Sequence, residues 1–333
     1  MGMNKGIDGR SSPVSDILNV DVHVNSVLRN KFGIMRQSTA TNKLAMMKTS
    51  DTGTADESDR IVMSNGNLKV TLENASELER GIKATTHRLF DAIMLKWTES
   101  GTKEPSVFLS LDEFMKMCEL KNLKEMRKQV NAELKVFKNM KVTFAKSSSR
   151  EQSFNDIKIC EDAQIKNNFI VFFFSPEFMR ILKSMPVMPY PMRLMSLNHK
   201  KNPNSYYFLK KIAEHKKMNY FKKNADIISV KTLLESTPEL PKYDDVMNAD
   251  RAVARRIIEP FERDMTELED VFTWEYCHTN GTPLPDAEVD NFNYFIFYGL
   301  MIRIKWLYYP EISKKQPPKR KKTETQDDEG EVK

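Results

Sequence analysis

Cysteine is nearly missing from this 333-residue chain. Its three cysteines, Cys118, Cys160 and Cys277, lie far apart and form no CxxC pair. That pattern excludes a disulfide framework and a cysteine-type zinc site, and it fits a reducing compartment. Histidine is almost as sparse. His23, His87, His199, His215 and His278 form no HxH pair, so no metal held by a His-hydrophobic-His motif is expected. No GxxxxGK[ST] loop occurs, which removes P-loop nucleotide hydrolysis. The longest apolar run, "FIVFFF" (Phe169 to Phe174), has the length of a strand, whereas a membrane span needs about 18 apolar residues or more. The N-terminus lacks a basic start followed by an apolar core, so no secretory signal is expected. These absences lead to an expectation of a cytoplasmic protein without metal, cofactor or membrane contact, and not an enzyme.

What the chain does hold is unevenly placed charge. It carries 52 basic and 46 acidic residues, a net +6. Between Lys200 and Arg263 there are 14 Lys and Arg against 9 Asp and Glu, so most of the excess sits there. Such a basic region is an electrostatic footprint for a polyanion. The alternative is a solvated basic face.

Residues 1–65 are rich in Ser, Thr, Asn, Asp and Gly without a sustained period. A stretch such as "KTSDTGTADESDR" buries too little apolar surface to offset its ordering entropy. A mostly disordered polar arm is expected there, with "DILNVDVHVNSVL" as a transient helix, a strand or a partner-binding segment. Residues 313–333 read as a charged tail, basic first and then acidic.

Between the two ends, one plan occurs twice. In residues 66–187, "ATTHRLFDAIMLKW" spaces Leu89, Ile93 and Trp97 four apart, one apolar helical stripe. "SVFLSLDEFMKMCEL" gives a short strand and then a helix, with Ser110 and Glu113 spaced as a capping box. "LKEMRKQVNAELKVFKNM" places Met126, Val130, Leu134 and Phe137 on one face. "KVTFA", "DIKIC" and "NNFIVFFF" follow as strands, the first two joined by "SSSRE". In residues 188–312, "SYYFLKKIAEHKKM", "IISVKTLLES" with Ser229 as cap, and "YDDVMNADRAVARRIIEPFERDMTEL" repeat the helices. "VFTWEYCHTNG" and "NYFIFYGLMIRIKWLYY" supply the hairpin, closed at Asn280–Gly281. Prolines in "MPVMPYPMRLMSL" keep the connection extended. The expected fold class is α+β, two tandem winged-helix domains with disordered N- and C-terminal tails.

Certain residues carry a family likeness. They are "SYYFLKK" (Ser205 to Lys211), preceded by "PMRLMSL" read as a short strand, and "RRIIEPFERDMTEL" running into "VFTWEY". "LSLDEFMKMCEL" and "VNAELKVFKNMKVTF" match more loosely. On these stretches the chain resembles plasmid replication initiator proteins of the double winged-helix, iteron-binding family. The resemblance implies a bacterial protein that binds double-stranded DNA repeats at a plasmid origin and recruits the host replicative helicase or its loader. It implies a homodimer in equilibrium with monomer. The first unit would serve dimerisation and backbone contact, and the second would read bases. The chain departs from the family in its long polar arm and in an acidic wing insert, "TNGTPLPDAEVDNF". A transcription repressor, or a winged-helix interaction scaffold of a mobile element, are the alternative readings.

The base-reading candidates are Asn248, Arg251 and Arg255, spaced i, i+3 and i+7 on one helical face. Arg bonds guanine O6 and N7 in a bidentate way, and Asn pairs with adenine. Val253, Ile257 and Phe261 occupy another face, suited to the core. The phosphate candidates are Lys242, Arg256, Lys210, Lys211, Lys124, Arg127 and Lys128, which position without specifying. Pro260 costs about 3 kcal/mol in a helix interior. It is expected to mark a kink, because the apolar spacing continues through Phe261, Met265 and Leu268. Adjacent Tyr206 and Tyr207 would suit a nickase only with a metal beside them.

Overall fold

The computed structural model describes residues 20–24, 26–49, 55–79, 81–101, 104–146, 153–249, 252–285 and 293–314. The chain opens with strands β1 (Val20–His23) and β2 (Phe32–Arg36), then helix α1 (Thr39–Leu44). Ser38 caps α1 with Thr41 in a reciprocal box. The hairpin β3 (Ile61–Asn65) and β4 (Leu68–Leu72) follows, turned at Gly66 with φ +61°. Here the expected polar arm is corrected. Phe32, Met35, Leu44 and Met47 are buried in the core, and the last three belong to its main cluster. Scattered apolar residues suffice once another element receives them, and β2 pairs antiparallel with a strand of the connection.

The first winged helix consists of α2 (Ala84–Glu99), β5 (Ser106–Ser110), α3 (Leu111–Met117) and α4 (Leu123–Lys138), and its wing comes later in the chain. Ser110 accepts the Glu113 N–H at 3.0 Å and starts α3. Strands β6 (Met140–Phe144) and β7 (Phe154–Lys158) come next, then β8 (Cys160–Lys166) and β9 (Phe169–Phe174). "KVTFA" and "DIKIC" do pair, as β6 and β7, but they extend the β3–β4 hairpin into a sheet of order β3-β4-β6-β7. The wing is instead β8–β9, in a sheet of order β5-β9-β8. Its turn is Asn167–Asn168, both at positive φ (49° and 64°), the geometry that matches the twist of a two-residue hairpin.

Helix α5 (Pro176–Ser184) begins at Ser175, whose hydroxyl accepts the Phe178 N–H at 3.1 Å. Then β10 (Val187–Pro191) pairs with β2. "PMRLMSL" is not a strand. Pairing stops at Pro191, and Arg193–Ser196 forms a helical turn, α6, that buries Leu194 and Met195.

The second winged helix repeats the first. It contains α7 (Ser205–Asn219), β11 (Ile227–Ser229), α8 (Val230–Leu234) and α9 (Tyr243–Ala249). A π-helical turn at Ala254–Ile258 leads into α10 (Glu259–Thr266), and β12 (Phe272–Cys277) follows. The stretch expected as one long strand divides into helix α11 (Tyr294–Gly299) and strand β13 (Met301–Trp306). Asn293 Oδ1 accepts the N–H groups of Phe295 and Ile296 at 3.0 and 3.1 Å, which starts the helix. The sheet order β11-β13-β12 is the same as β5-β9-β8. Finally β14 (Glu311–Lys314) pairs with β1, Val20 opposite Lys314. Residues 315–333 and 1–19 lie outside the described residues.

The two units are joined through their first helices. Asp91 of α2 and Lys210 of α7, 2% and 5% exposed, form an ion pair at 2.7 Å. The phenols of Tyr206 and Tyr190 donate to the same carboxylate at 2.6 and 2.9 Å. Nearby, Arg88 Nη2 donates to the Leu197 carbonyl at 2.6 Å and its Nε to His199 Nε2 at 3.1 Å. Buried charge is tolerable only when paired and hydrogen-bonded in this way.

Candidate nucleic-acid interface

In a helix-turn-helix, the second helix of the pair presents its N-terminal part to the major groove. In the second unit the equivalent position in the fold is taken by the segment from α9 through α10. Its packing side is apolar: Val246, Ile257, Phe261, Met265 and Leu268 are all at most 1% exposed. Its outer side carries Lys242, Asn248, Arg255 and Arg256, all exposed.

An anchored network sets its angle. Asp264, fully buried, accepts the Asn204 backbone N–H and Nδ2 at 2.8 and 2.7 Å, just before α7. Ser205 Oγ donates to the Asp264 carbonyl at 2.8 Å. Thr237 Oγ1 donates to Asn204 Oδ1 at 2.7 Å, which draws in the chain after α8. At the far end, Arg193 and Asn202 hold Glu267 at 2.8 and 2.6 Å. In sequence Asp264 looks like one more surface acid; only its burial reveals the role.

The sequence expectation needs correcting along this segment. One continuous helix carrying Asn248, Arg251 and Arg255 on a single face was expected. Instead α9 ends at Ala249, Ala252 is not helical, and helical backbone resumes at Val253. No glycine or proline stands between Asn248 and Val253, so the sequence carries no signal for the break. The i, i+7 relation between Asn248 and Arg255 therefore does not hold as a single helical face. Arg251 lies outside the described residues.

Pro260 behaves differently from a simple kink. Helical backbone runs through it, with Ile258 at φ −71°, ψ −55° and Glu259 at φ −58°, ψ −45°. The Glu259 N–H bonds the Ala254 carbonyl, five residues back. Proline has no N–H for the carbonyl four residues back and its ring clashes there. The wider π-turn displaces that carbonyl and accommodates the ring.

The phosphate candidates divide. Lys242, Arg256, Lys124 and Lys128 are exposed. Arg127 is half-buried and donates to Asn168 Oδ1 in the first wing turn. Lys211 is half-buried and paired with Glu214 at 2.8 Å. Lys210 is corrected outright: it is buried against Asp91 and unavailable to a phosphate. Its place on a basic helix hid this, since a lysine matched by a carboxylate 119 residues away has no local signature. Tyr206 and Tyr207 are buried too, at 0% and 1% exposure. Missed by the sequence reading is Tyr243, which opens α9 and stacks on Tyr294 of α11 at 4.3 Å and 19°. The start of α11 is thereby fastened to the start of α9.

No protein-family model and no curated protein matches this sequence. Among solved structures, the chain is similar to a crystal structure of domains 2 and 3 of RctB, with a TM-score of 0.45 and 9% identity, over 81% of this chain and 100% of that one. A second crystal structure of RctB domains 2–3 gives a TM-score of 0.39 and 10% identity, over 79% of this chain and 96% of that one. Likeness at this level assigns no function. The duplicated sheet order stands on the chain's own strand pairing.

Proposed function

We propose that the protein is a sequence-specific DNA-binding initiator of plasmid replication. The observation that carries this reading is the exposed Asn248, Arg255 and Arg256 on the third-helix segment of a duplicated winged helix, backed by a fully buried apolar side. Arg and Asn are the side chains with bidentate matches to guanine and adenine edges. A tandem pair joined by a buried ion pair suits an extended, repeated site. The resemblance noted above supplies the replication context: origin repeats, a host helicase or its loader, and a homodimer in equilibrium with monomer.

The test begins with the DNA flanking the gene. The purified chain is titrated onto duplexes carrying any direct repeats found there, at several salt concentrations. The expected outcome is tight repeat-specific binding that weakens steeply with salt, and replication of a plasmid carrying repeats and gene. Binding without replication would make the protein a repressor. Equal binding to all sequences, or none, overturns the reading.

A further inference from the structure

The strand alternation that builds the second core also builds a second surface. Phe272 and Tyr276 of β12 and Ile302 and Ile304 of β13 are buried on the helix side of the sheet. Thr273, Glu275 and Lys305 therefore face the other way, Thr273 opposite Lys305 and Glu275 opposite Arg303. These residues line an open groove with two walls. One wall is the end of α7 and the loop after it, with Lys216, Lys223 and Asn224; the other is the wing turn at Thr279–Asn280. Gly281, at φ +81°, brings the turn so close that a Cβ there would lie 2.7 Å from Ile227 Cδ1. The groove shape thus depends on backbone approach at that glycine.

Its charge is unbalanced. Lys216 is matched by Asp226 at 2.6 Å. Arg303 faces Glu275 at 3.3 Å, both ends about half exposed, a pair weak enough to be exchanged for a stronger anion. Lys223 and Lys305 are exposed and have no ion pair recorded among the described residues. Four cations against two carboxylates, with Asn and Thr donors between them, match a row of phosphates.

We propose that this groove binds the phosphodiester backbone of a nucleic-acid strand, on the sheet face turned away from the third-helix segment. The proposal rests on the DNA-binding reading for the class of polyanion, and places a second contact where that reading has none.

The test uses the full chain and two labelled probes: an oligothymidylate of about 20 nucleotides, and a duplex of similar length without origin repeats. Affinity is read by anisotropy across a salt series. Lys223→Glu/Lys305→Glu is expected to weaken at least one probe about 10-fold and to lower its salt slope by about 1.5, as two lost phosphate contacts require. Lys69→Glu/Lys158→Glu changes net charge equally on exposed positions of the other sheet and is expected to cost under about 3-fold. Should the reversal fail to melt like the parent, Lys223→Gln/Lys305→Gln keeps the slope test. Loss for oligothymidylate alone identifies single strands, and loss for duplex alone identifies a second duplex segment. Unchanged binding of both probes, or an equal loss in the control, overturns the proposal. Titration of the parent chain onto an origin-repeat duplex is run alongside, so a failure of the base-reading assignment is seen separately.

Discussion

Truncating Asp91 to alanine probes the joint between the two units. Its carboxylate is 2% exposed and accepts from Lys210 Nζ at 2.7 and 2.8 Å, from Tyr206 at 2.6 Å and from Tyr190 at 2.9 Å. Removing one partner of a buried pair costs about 3–5 kcal/mol, because the other charge is left uncompensated. Two buried phenols also lose their acceptor, at roughly 1 kcal/mol or more each, though these losses overlap with the first. Tyr190 keeps a contact to Met195 Sδ at 3.4 Å, which softens its share. The expected total is about 4–6 kcal/mol. Asp91→Leu/Lys210→Met removes both charges together and is expected to cost only about 1–3 kcal/mol, mostly from the phenols. Urea unfolding of the parent, of Asp91→Leu and Lys210→Met singly, and of the double variant closes the cycle, followed by the fluorescence of Trp97 in one unit and Trp274 and Trp306 in the other. The double variant is expected to cost less than the two single ones together, by about 3 kcal/mol or more. The alanine variant is also expected to unfold in two steps where the parent unfolds in one. A cost below about 1 kcal/mol, or coupling near zero, refutes the claim that this pair joins the units.

Arg255→Ala is expected to lower affinity for the specific repeat by about 1–3 kcal/mol and to relax preference at one base position, measured by competition with single-base variants. Burial pushes His87 down to about 4 and His199 to about 3. Both are depressed from an ordinary value near 6.5, so their contribution is intact above that pH and is lost as pH falls toward the folded values. Together they are expected to remove about 3 kcal/mol between pH 7.5 and 5.5, read as a fall in urea midpoint; a flat profile would contradict their burial. Pro260→Ala restores a helix donor at a site where the π-turn already accommodates the ring. Stability should change by under about 1 kcal/mol, far below the usual helix-interior penalty, while specific DNA affinity falls as the Arg255–Arg256 register relaxes. Gly281→Val meets both a left-handed φ and Ile227 at 2.7 Å, and is expected to lower stability by about 2 kcal/mol in thermal melts.

The helices were largely readable because their signals are local. Apolar residues at helical spacing gave α2 and α4, and Ser110 and Ser229 each accept the N–H three residues on, as their positions implied. Turn chemistry was less legible. Asn167–Asn168 closes the first wing without a glycine. Asn293 starts a helix inside what looked like a long aromatic strand. The structure of residues 32–49 was hidden for another reason: its apolar residues are few, and β2 finds its partner strand in β10, about 150 residues downstream.

The site divides in the same way. The sequence alone determined that Ile257, Phe261, Met265 and Leu268 would be core and that the neighbouring arginines would face outward, since side-chain direction follows from helical period. It also determined where the chain's positive charge accumulates. Tertiary structure decided which of those charges remain available. Lys210 and Lys211 are neighbours of one composition, yet one is buried on Asp91 of the other unit and the other pairs within its own helix. It decided that Asp264 is an anchor rather than a solvated acid, and that Lys223, Arg303 and Lys305 share a groove. Helical period and capping act within a few residues, so a sequence shows them. Counterions and groove walls come from residues far apart in the chain, and only the folded packing brings them together.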